Sequence, residues 1–380
     1  MQDKIWLSPP HLSGNELQFI EDAFQKNWVT SIGSNIDEFE LSLKNFLKNN
    51  TEVCTLNSAT SAIHLALIML GVSKGDEVLT STFSFIASAN PIVYCGADPV
   101  FIDSEPDTWN MCPDVLEEAI KDRLSKGKKP KAIILVHLYG MPAKMDEILS
   151  IASKYEIPLI EDAAESLGSQ YKGKPCGIFG QFGILSFNGN KIITTSGGGA
   201  LVCHSLEDKN KAIFLSTQAR DAASHYQHSH IGYNYRMSNI VAGIGRGQME
   251  VLDDRIEARR KMHDFYVDLF ENIDGVDVFS EPNTDFFSNH WLSAVTIDEK
   301  KTGRTYEDLR LAFLESNIES RPLWKPMHMQ PVFSNAPYYG KKIAEDLFKM
   351  GLCLPSGSNL SDEDKKRIAK VINSFFQNKK

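Results

Sequence analysis

Three side chains in this chain are spaced as a site for a phosphorylated aldehyde would need them. Lys191 follows Ser186-Phe187-Asn188-Gly189-Asn190, a strand end running into a turn, and precedes Thr194-Thr195-Ser196-Gly197-Gly198-Gly199. Upstream, the apolar run Ile157-Pro158-Leu159-Ile160 ends in Glu161-Asp162-Ala163-Ala164-Glu165. An amine held beside an aldehyde forms a Schiff base, and desolvation or nearby positive charge lowers its pKa. A carboxylate such as Asp162 can keep a ring nitrogen protonated, which lets the ring accept the electrons of a carbanion. Ser186 is placed to take phosphate. Each residue also has a plain reading: a solvated lysine, a strand-end or helix-capping aspartate, a turn serine. Glu165 lies on the side of Asp162 if the stretch is helical; it either meets a ring hydroxyl or is solvated.

Other segments fit the same chemistry. Asn57-Ser58-Ala59-Thr60 falls between a strand pattern and a helix pattern, where small residues and a helix N-terminus suit an anion; Ser and Thr also cap helices that bind nothing. The Gly197-Gly198-Gly199 run has neither the lysine spacing of a P-loop nor the G-x-G-x-x-G of a dinucleotide site. It reads as a tight turn beside Lys191. Phe85 reads first as core, and otherwise as a ring stacked on a flat ligand.

The elements that must position these residues alternate. Val53–Leu56, Glu77–Leu79, Pro99–Ile102, Ala132–Val136 and Ile157–Ile160 have strand patterns. Ala59–Leu70, Phe85–Tyr94, Pro113–Lys121 and Met145–Lys154 have helical ones. Such alternation predicts a mainly parallel sheet covered by helices on both faces, an α/β fold. Ligands of such sheets sit at the carboxyl ends of strands, so Asn57-Ser58, His137 and Asp162 are expected to converge on one crevice. Ser13-Gly14-Asn15-Glu16 reads as a capping box. Ser238–Arg260 reads as one long helix. The texture then changes, predicting a large domain over 1–250 and a smaller α+β domain over 251–380. Lys379-Lys380 reads as a frayed end.

Composition excludes several classes. The 380 residues are 42% hydrophobic and 23% charged, with a net charge of −9, which argues against a nucleic-acid binder working through a basic surface. No apolar stretch is long enough to span a bilayer, and the first ten residues hold no apolar signal core. The cysteines at 54, 95, 112, 176, 203 and 353 form no C-x-x-C pair, so neither a metal site nor a disulfide framework is expected and a cytoplasmic location is.

Taken together, Glu161-Asp162-Ala163-Ala164-Glu165, Ser186-Phe187 with Lys191, Thr82-Phe83-Ser84-Phe85-Ile86-Ala87-Ser88 and Gly232-Tyr233-Asn234-Tyr235-Arg236-Met237 resemble the pyridoxal-phosphate-dependent nucleotide-sugar aminotransferases of the DegT/DnrJ/EryC/StrS group, nearly end to end. The resemblance implies fold type I, with a large domain and a smaller C-terminal one. It implies pyridoxal 5′-phosphate (PLP) bonded to Lys191, with Asp162 on the pyridine nitrogen, Phe85 stacked on the ring, Glu165 near the ring hydroxyl, and Ala59, Thr60 and Ser186 on the phosphate. It implies that Asn234 reaches the neighbouring subunit's phosphate in a homodimer, and that L-glutamate is the amino donor. Many relatives carry Gln where Glu165 stands, and Gly-Glu-Gly-Gly at 196–199.

The Lys191 segment together with Arg321-Pro322-Leu323-Trp324-Lys325-Pro326-Met327-His328 is similar to the C4 aminotransferases of the bacillosamine-type pathway. That similarity implies a UDP-linked 4-keto-6-deoxy-N-acetylhexosamine as acceptor. Trp28, Thr30, Arg321, Trp324, Lys325 and His328 are the candidate acceptor contacts. Arg321, Lys325 and His328 suit a diphosphate or sugar hydroxyls, and Trp324 a sugar or base. A surface loop with an anchoring Trp is the alternative. Other readings are a C3 or C4 aminotransferase for another dTDP-, GDP- or UDP-linked keto sugar, and a non-catalytic PLP-binding scaffold.

Overall fold

In the computed structural model, which describes residues 3–48 and 50–377, one eight-stranded sheet organises the large part of the chain. Its strand order is Glu52–Leu56, Gly199–Cys203, Phe182–Ser186, Leu159–Asp162, Ala132–Val136, Glu77–Ser81, Asp98–Ile102 and Tyr338–Tyr339. Gly199–Cys203 runs antiparallel to both its neighbours, and the remaining pairs are parallel. The central strands read as near-continuous apolar runs because both faces are covered; Ala132–Val136 is buried at every position. Apolar clusters lie on either side of the sheet. One packs Leu79, Ile133 and Leu135 against Leu116, Ile120 and Ile148; the other packs Ile134, Ile160 and Ile184 against Ile63 and Leu67. The α/β architecture predicted from the alternating pattern is therefore the one observed.

A second, antiparallel sheet of Val276–Val278, Ser293–Ile297, Gly351–Leu354 and Arg321–Pro322 carries the C-terminal part. Its core of Val295, Ile297, Leu309, Phe313, Leu352 and Ile368 is separate from those of the large sheet. The two parts exchange chain. Ile5 bridges to Ile318, and Tyr338–Tyr339 adds a strand to the edge of the large sheet beside Asp98–Ile102.

Several local readings differ. The stretch read as one helix after Ser238 is two, Asn239–Met249 and Leu252–Phe270, parted at Glu250 and Val251. Phe85 precedes a short 3₁₀ turn, Ile86–Ser88, and the α-helix begins only at Asn90. Ser13 is not a helix cap: the first helix spans Glu16–Gln25, and the Glu16 carboxylate reaches back to the amides of Ser13 and Gly14 while also accepting from Gln248. A tertiary partner completes what the local pattern began. The reading of Lys379-Lys380 lies outside the described residues.

Candidate active site

Asp162 ends the Leu159–Asp162 strand, one strand away from Ser186, which ends Phe182–Ser186. Beyond Ser186 the chain makes the loop that carries Lys191 and returns antiparallel at Gly199, with Ser186 opposite Gly199. Bonds between Phe187 N–H and the Gly198 carbonyl, and between Thr195 N–H and the Phe187 carbonyl, close the base of that loop. Gly199 faces the start of the Ala59–Met69 helix, and a Cβ there would lie 2.3 Å from the Ala59 nitrogen. Only a glycine lets the returning strand pass this close to the helix N-terminus. Ser58 caps that helix by accepting the Ser61 amide. The Ala59 and Thr60 amides sit in the first turn, where helical N–H groups have no intrahelical acceptor.

These ends enclose a cavity of about 600 Å³ lined by Ser58, Ala59, Thr60, Phe85, Asp162, Glu165, Ser186 and Lys191, with Trp291, Arg321 and Trp324 completing the lining. A larger groove of about 1210 Å³ opens between Phe46, Phe179, Phe287 and Arg260. It gathers no comparable set of buried titratable groups; Arg260 there is paired with Glu281. The smaller cavity is the candidate site because its buried acid and amine face each other.

Asp162 is buried. Its Oδ2 accepts from Ser88 Oγ at 2.7 Å and its Oδ1 from the Ala164 amide at 3.2 Å. Burial raises its pKa, opposed by the Ser88 bond, the Ala164 amide and the Lys191 charge. Glu165 Oε2 accepts the Tyr139 amide at 2.6 Å, and its Oε1 lies 3.7 Å from Lys191 Nζ. Burial pushes Glu165 up to about 7 against the attraction of Lys191. Lys191 Nζ also lies 3.8 Å from the centre of the Trp291 ring, a cation–π distance. Burial is the main cause lowering the Lys191 pKa, and Glu165 and Asp162 oppose it. An amine with a depressed pKa, a carboxylate with spare acceptor capacity, helix amides and a serine hydroxyl in one cavity suit a flat, phosphorylated carbonyl compound with a basic ring nitrogen.

Not all of the sequence-predicted residues meet here. Phe85, read first as core, is 55% exposed and stands on the cavity wall, its ring 5.7 Å from that of Trp324. Trp324 is fixed by its amide on the Tyr139 hydroxyl. Arg321 reaches the cavity mouth, exposed and paired with Glu319. Trp28 and Thr30 are exposed and do not line the cavity; their carbonyls hold Asn239. Lys325 and His328 are also off the wall. His328 binds Thr82 Oγ1 at 2.7 Å and stacks on Tyr338, tying the C-terminal part to the end of a large-sheet strand. Asn234 is exposed; its carbonyl accepts from Asn57, which is on the wall, but its own side chain is not. His137 does not join the crevice: it is fully buried against Glu161 on the other side of the strand ends.

Ser88 and Trp291 were missed. Ser88 lies within the Thr82–Ser88 motif, so its place was marked though its role was not. Trp291 had no signal beyond being a tryptophan in a loop-like stretch; its ring is buried, and its Nε1 donates to the Asn190 carbonyl at 2.7 Å.

A mainly parallel sheet with a cavity at its strand ends, lined by a largely enclosed lysine and buried carboxylates, suits the class of lysine-dependent carbonyl enzymes. Residues 10–373 match the DegT/DnrJ/EryC1/StrS aminotransferase family, and the chain belongs to it. It is 50% identical over 380 residues to EpsN of Bacillus subtilis (strain 168), named as a pyridoxal phosphate-dependent aminotransferase, covering 99% of this chain and 97% of the relative. It is 38% identical to GDP-perosamine synthase of Escherichia coli O157:H7, covering 97% and 98%. Among solved structures it superimposes on the PLP form of sugar aminotransferase Spr1654 from Streptococcus pneumoniae with a TM-score of 0.89, at 25% identity, covering 99% of each chain.

Proposed function

We propose that this chain transfers an amino group from L-glutamate to a nucleotide-linked keto sugar, the acceptor being a UDP-linked 4-keto-6-deoxy-N-acetylhexosamine and the products a UDP-4-amino-4,6-dideoxy-N-acetylhexosamine and 2-oxoglutarate. The observation that carries the reading is the Lys191 amine, largely enclosed, 3.7 Å from Glu165 and sharing one cavity with Asp162. PLP, the cofactor of the family, supplies an electron sink that stabilises a carbanion next to nitrogen. Lys191 would hold it covalently, Asp162 would keep its ring nitrogen protonated, Phe85 would cover one face, and Ala59, Thr60 and Ser186 would take the phosphate. Glu165 faces the position of the ring hydroxyl in this reading.

The freed Lys191 amine is the group placed to move the proton, as general base and then acid, and burial biases it toward its neutral form. Asp162, buried and held by Ser88 and the Ala164 amide, needs no reorganisation to present its charge. The wall formed by Phe85 and Trp324 offers an apolar surface to a sugar or base. Arg321 at the mouth offers a cation to a diphosphate.

The 38% identity to a GDP-perosamine synthase favours a second reading, in which the acceptor is a GDP-linked 4-keto sugar. The deciding assay supplies L-glutamate and UDP-4-keto-6-deoxy-N-acetylglucosamine or the GDP-linked 4-keto-6-deoxy sugar to the cofactor-loaded protein, with Lys191→Ala as control. Products are read by mass and NMR. A Lys191-dependent amino product from the UDP sugar alone supports the first reading. Product from the GDP sugar alone replaces it with the second. No sugar product, despite conversion of the cofactor by glutamate, discards both acceptors.

The active unit in this reading is a homodimer in which Asn234 completes the partner's site. Its exposure supports this, as do the exposed apolar side chains Phe24, Trp28, Val29, Ile32 and Ile231. Mixed dimers of Lys191→Ala and Asn234→Ala chains should recover activity above both parents; no recovery would count against a shared site.

A further inference from the structure

Arg259, on the Leu252–Phe270 helix, is 1% exposed, and every acceptor recorded for it is neutral. One terminal nitrogen donates to the carbonyls of Trp291 (2.5 Å) and Ser356 (3.1 Å); the other donates to Ser8 Oγ (3.0 Å). Its buried Nε–H meets no acceptor among the described residues. A buried guanidinium without a counter-charge is costly. Delocalisation nevertheless keeps it protonated at neutral pH.

Its partners lead to one atom. Ser8 Oγ donates to the Asn190 carbonyl at 2.6 Å, and Trp291 Nε1 donates to the same carbonyl at 2.7 Å. Asn190 immediately precedes Lys191, and the Trp291 ring lies against Lys191 Nζ. Three segments far apart in sequence therefore clamp the turn that presents the amine, with one uncompensated positive charge behind them.

We propose that Arg259 is a positioning residue whose uncompensated charge, held behind the Ser8–Asn190–Trp291 clamp, favours release of the proton from the Lys191 nitrogen. Glu165 and Asp162 face Lys191 with the opposite sign and pull the other way, as does the face of the Trp291 ring. Burial is the largest influence on Lys191, Glu165 and Asp162 come next and oppose it, and Arg259 adds a smaller push in the direction of burial. Around Arg259 itself stand Arg255, of like charge, and His11, which burial and both arginines bias toward its neutral form.

The inference rests on Lys191 as the residue bonded to the cofactor, and the test separates the two. In the holoenzyme the absorbance of the lysine-bound cofactor is titrated with pH. If the band persists in Lys191→Ala, that reading and this inference both fall. If it depends on Lys191, Arg259→Met should raise the titration midpoint by about one pH unit, the scale of removing a neighbouring charge. Ser8→Ala, which loosens the clamp but leaves Arg259 charged and held by the Trp291 and Ser356 carbonyls, should leave the midpoint near the wild-type value. An unchanged midpoint in Arg259→Met, or an equal shift in Ser8→Ala, overturns the proposal. Should Arg259→Met not retain cofactor, Arg259→Gln makes the same comparison. The wild-type midpoint gives a check that needs no variant. Holding from low to high salt supports control by a buried charge, and a move of about one unit points to surface charges and overturns it.

Discussion

Glu161 and Asp162 are neighbours on one strand, both buried, both acidic, and they do opposite things. Alternation along the strand sends them to opposite faces. Glu161 accepts from His137 Nε2 at 2.7 Å and from the amides of Gly177, Phe179 and Gly180 at 2.5, 2.7 and 3.3 Å. A carboxylate has about four acceptor sites, so Glu161 has none to spare. His137 Nδ1 accepts the Ala143 amide at 3.0 Å, which assigns its proton to Nε2 and leaves its ring no free lone pair. With Cys176 nearby, the three have the residue types of a metal site, yet two of the three have their ligand atoms committed to protein donors. Among the described residues Asp162 accepts only from Ser88 and Ala164, and the rest of its capacity opens on the cavity. Spare capacity at a cavity, rather than burial or charge, separates the carboxylate proposed to act from the one that holds the fold.

The sharpest way to break this contrast is to neutralise each acid. Asp162→Asn should lower turnover by a hundredfold or more, the order of magnitude for losing a preorganised electrostatic group, while the folding midpoint in denaturant barely moves. Near-normal turnover would remove Asp162 from the chemistry. Lys191→Ala should lose at least as much and also the absorbance of the lysine-bound cofactor.

Glu165 sharpens the comparison through pH. Its folded-state pKa of about 7 lies above the ordinary value of 4.5, so between those values the folded chain binds more protons than the unfolded one. The stabilisation is present below the unfolded pKa and is lost as pH rises through the folded one. In the cofactor-free chain, Glu165→Gln should therefore gain on the wild type by on the order of 3 kcal/mol from acid to mildly alkaline pH. Denaturant melts across pH would show it; parallel curves would mean that the attraction of Lys191 cancels the effect of burial, so that Glu165 titrates alike folded and unfolded.

Glu161→Gln should do the reverse of Asp162→Asn. Placing an amide donor among amide donors leaves at least one unsatisfied, costing about 1–3 kcal/mol of stability, with turnover per folded molecule retained. A turnover loss at unchanged stability would erase the distinction. The smallest effect is expected at Arg321, exposed at the cavity mouth. Arg321→Ala should raise KM for the sugar nucleotide by less than about tenfold with kcat unchanged, as for a solvent-exposed charge.

The convergence of Asp162, Ser186, Lys191 and the Ser58–Thr60 helix start on one cavity was legible in sequence because they sit at strand ends and in the turns that follow, where local pattern dictates placement. Phe85 was legible as a position, but its exposure was not, since an aromatic residue in an apolar run looks the same in either setting. The acceptor end was read less well. Lys325 and His328 follow Trp324 closely, yet the short turn at Met327–Met329 carries His328 to Thr82 and Tyr338 instead of to the cavity.

The alternating strand and helix pattern, with its buried apolar runs, by itself determined the sheet and the side of it on which chemistry would occur, because periodicity and strand ends are local properties. Only the tertiary structure decided that His137 serves Glu161, that Trp291 lies against Lys191, and that Ser8, Arg259 and Trp291 meet around Asn190. Those contacts join residues far apart in the chain through single hydrogen bonds or one ring contact, which have no period and leave no mark on the sequence around them.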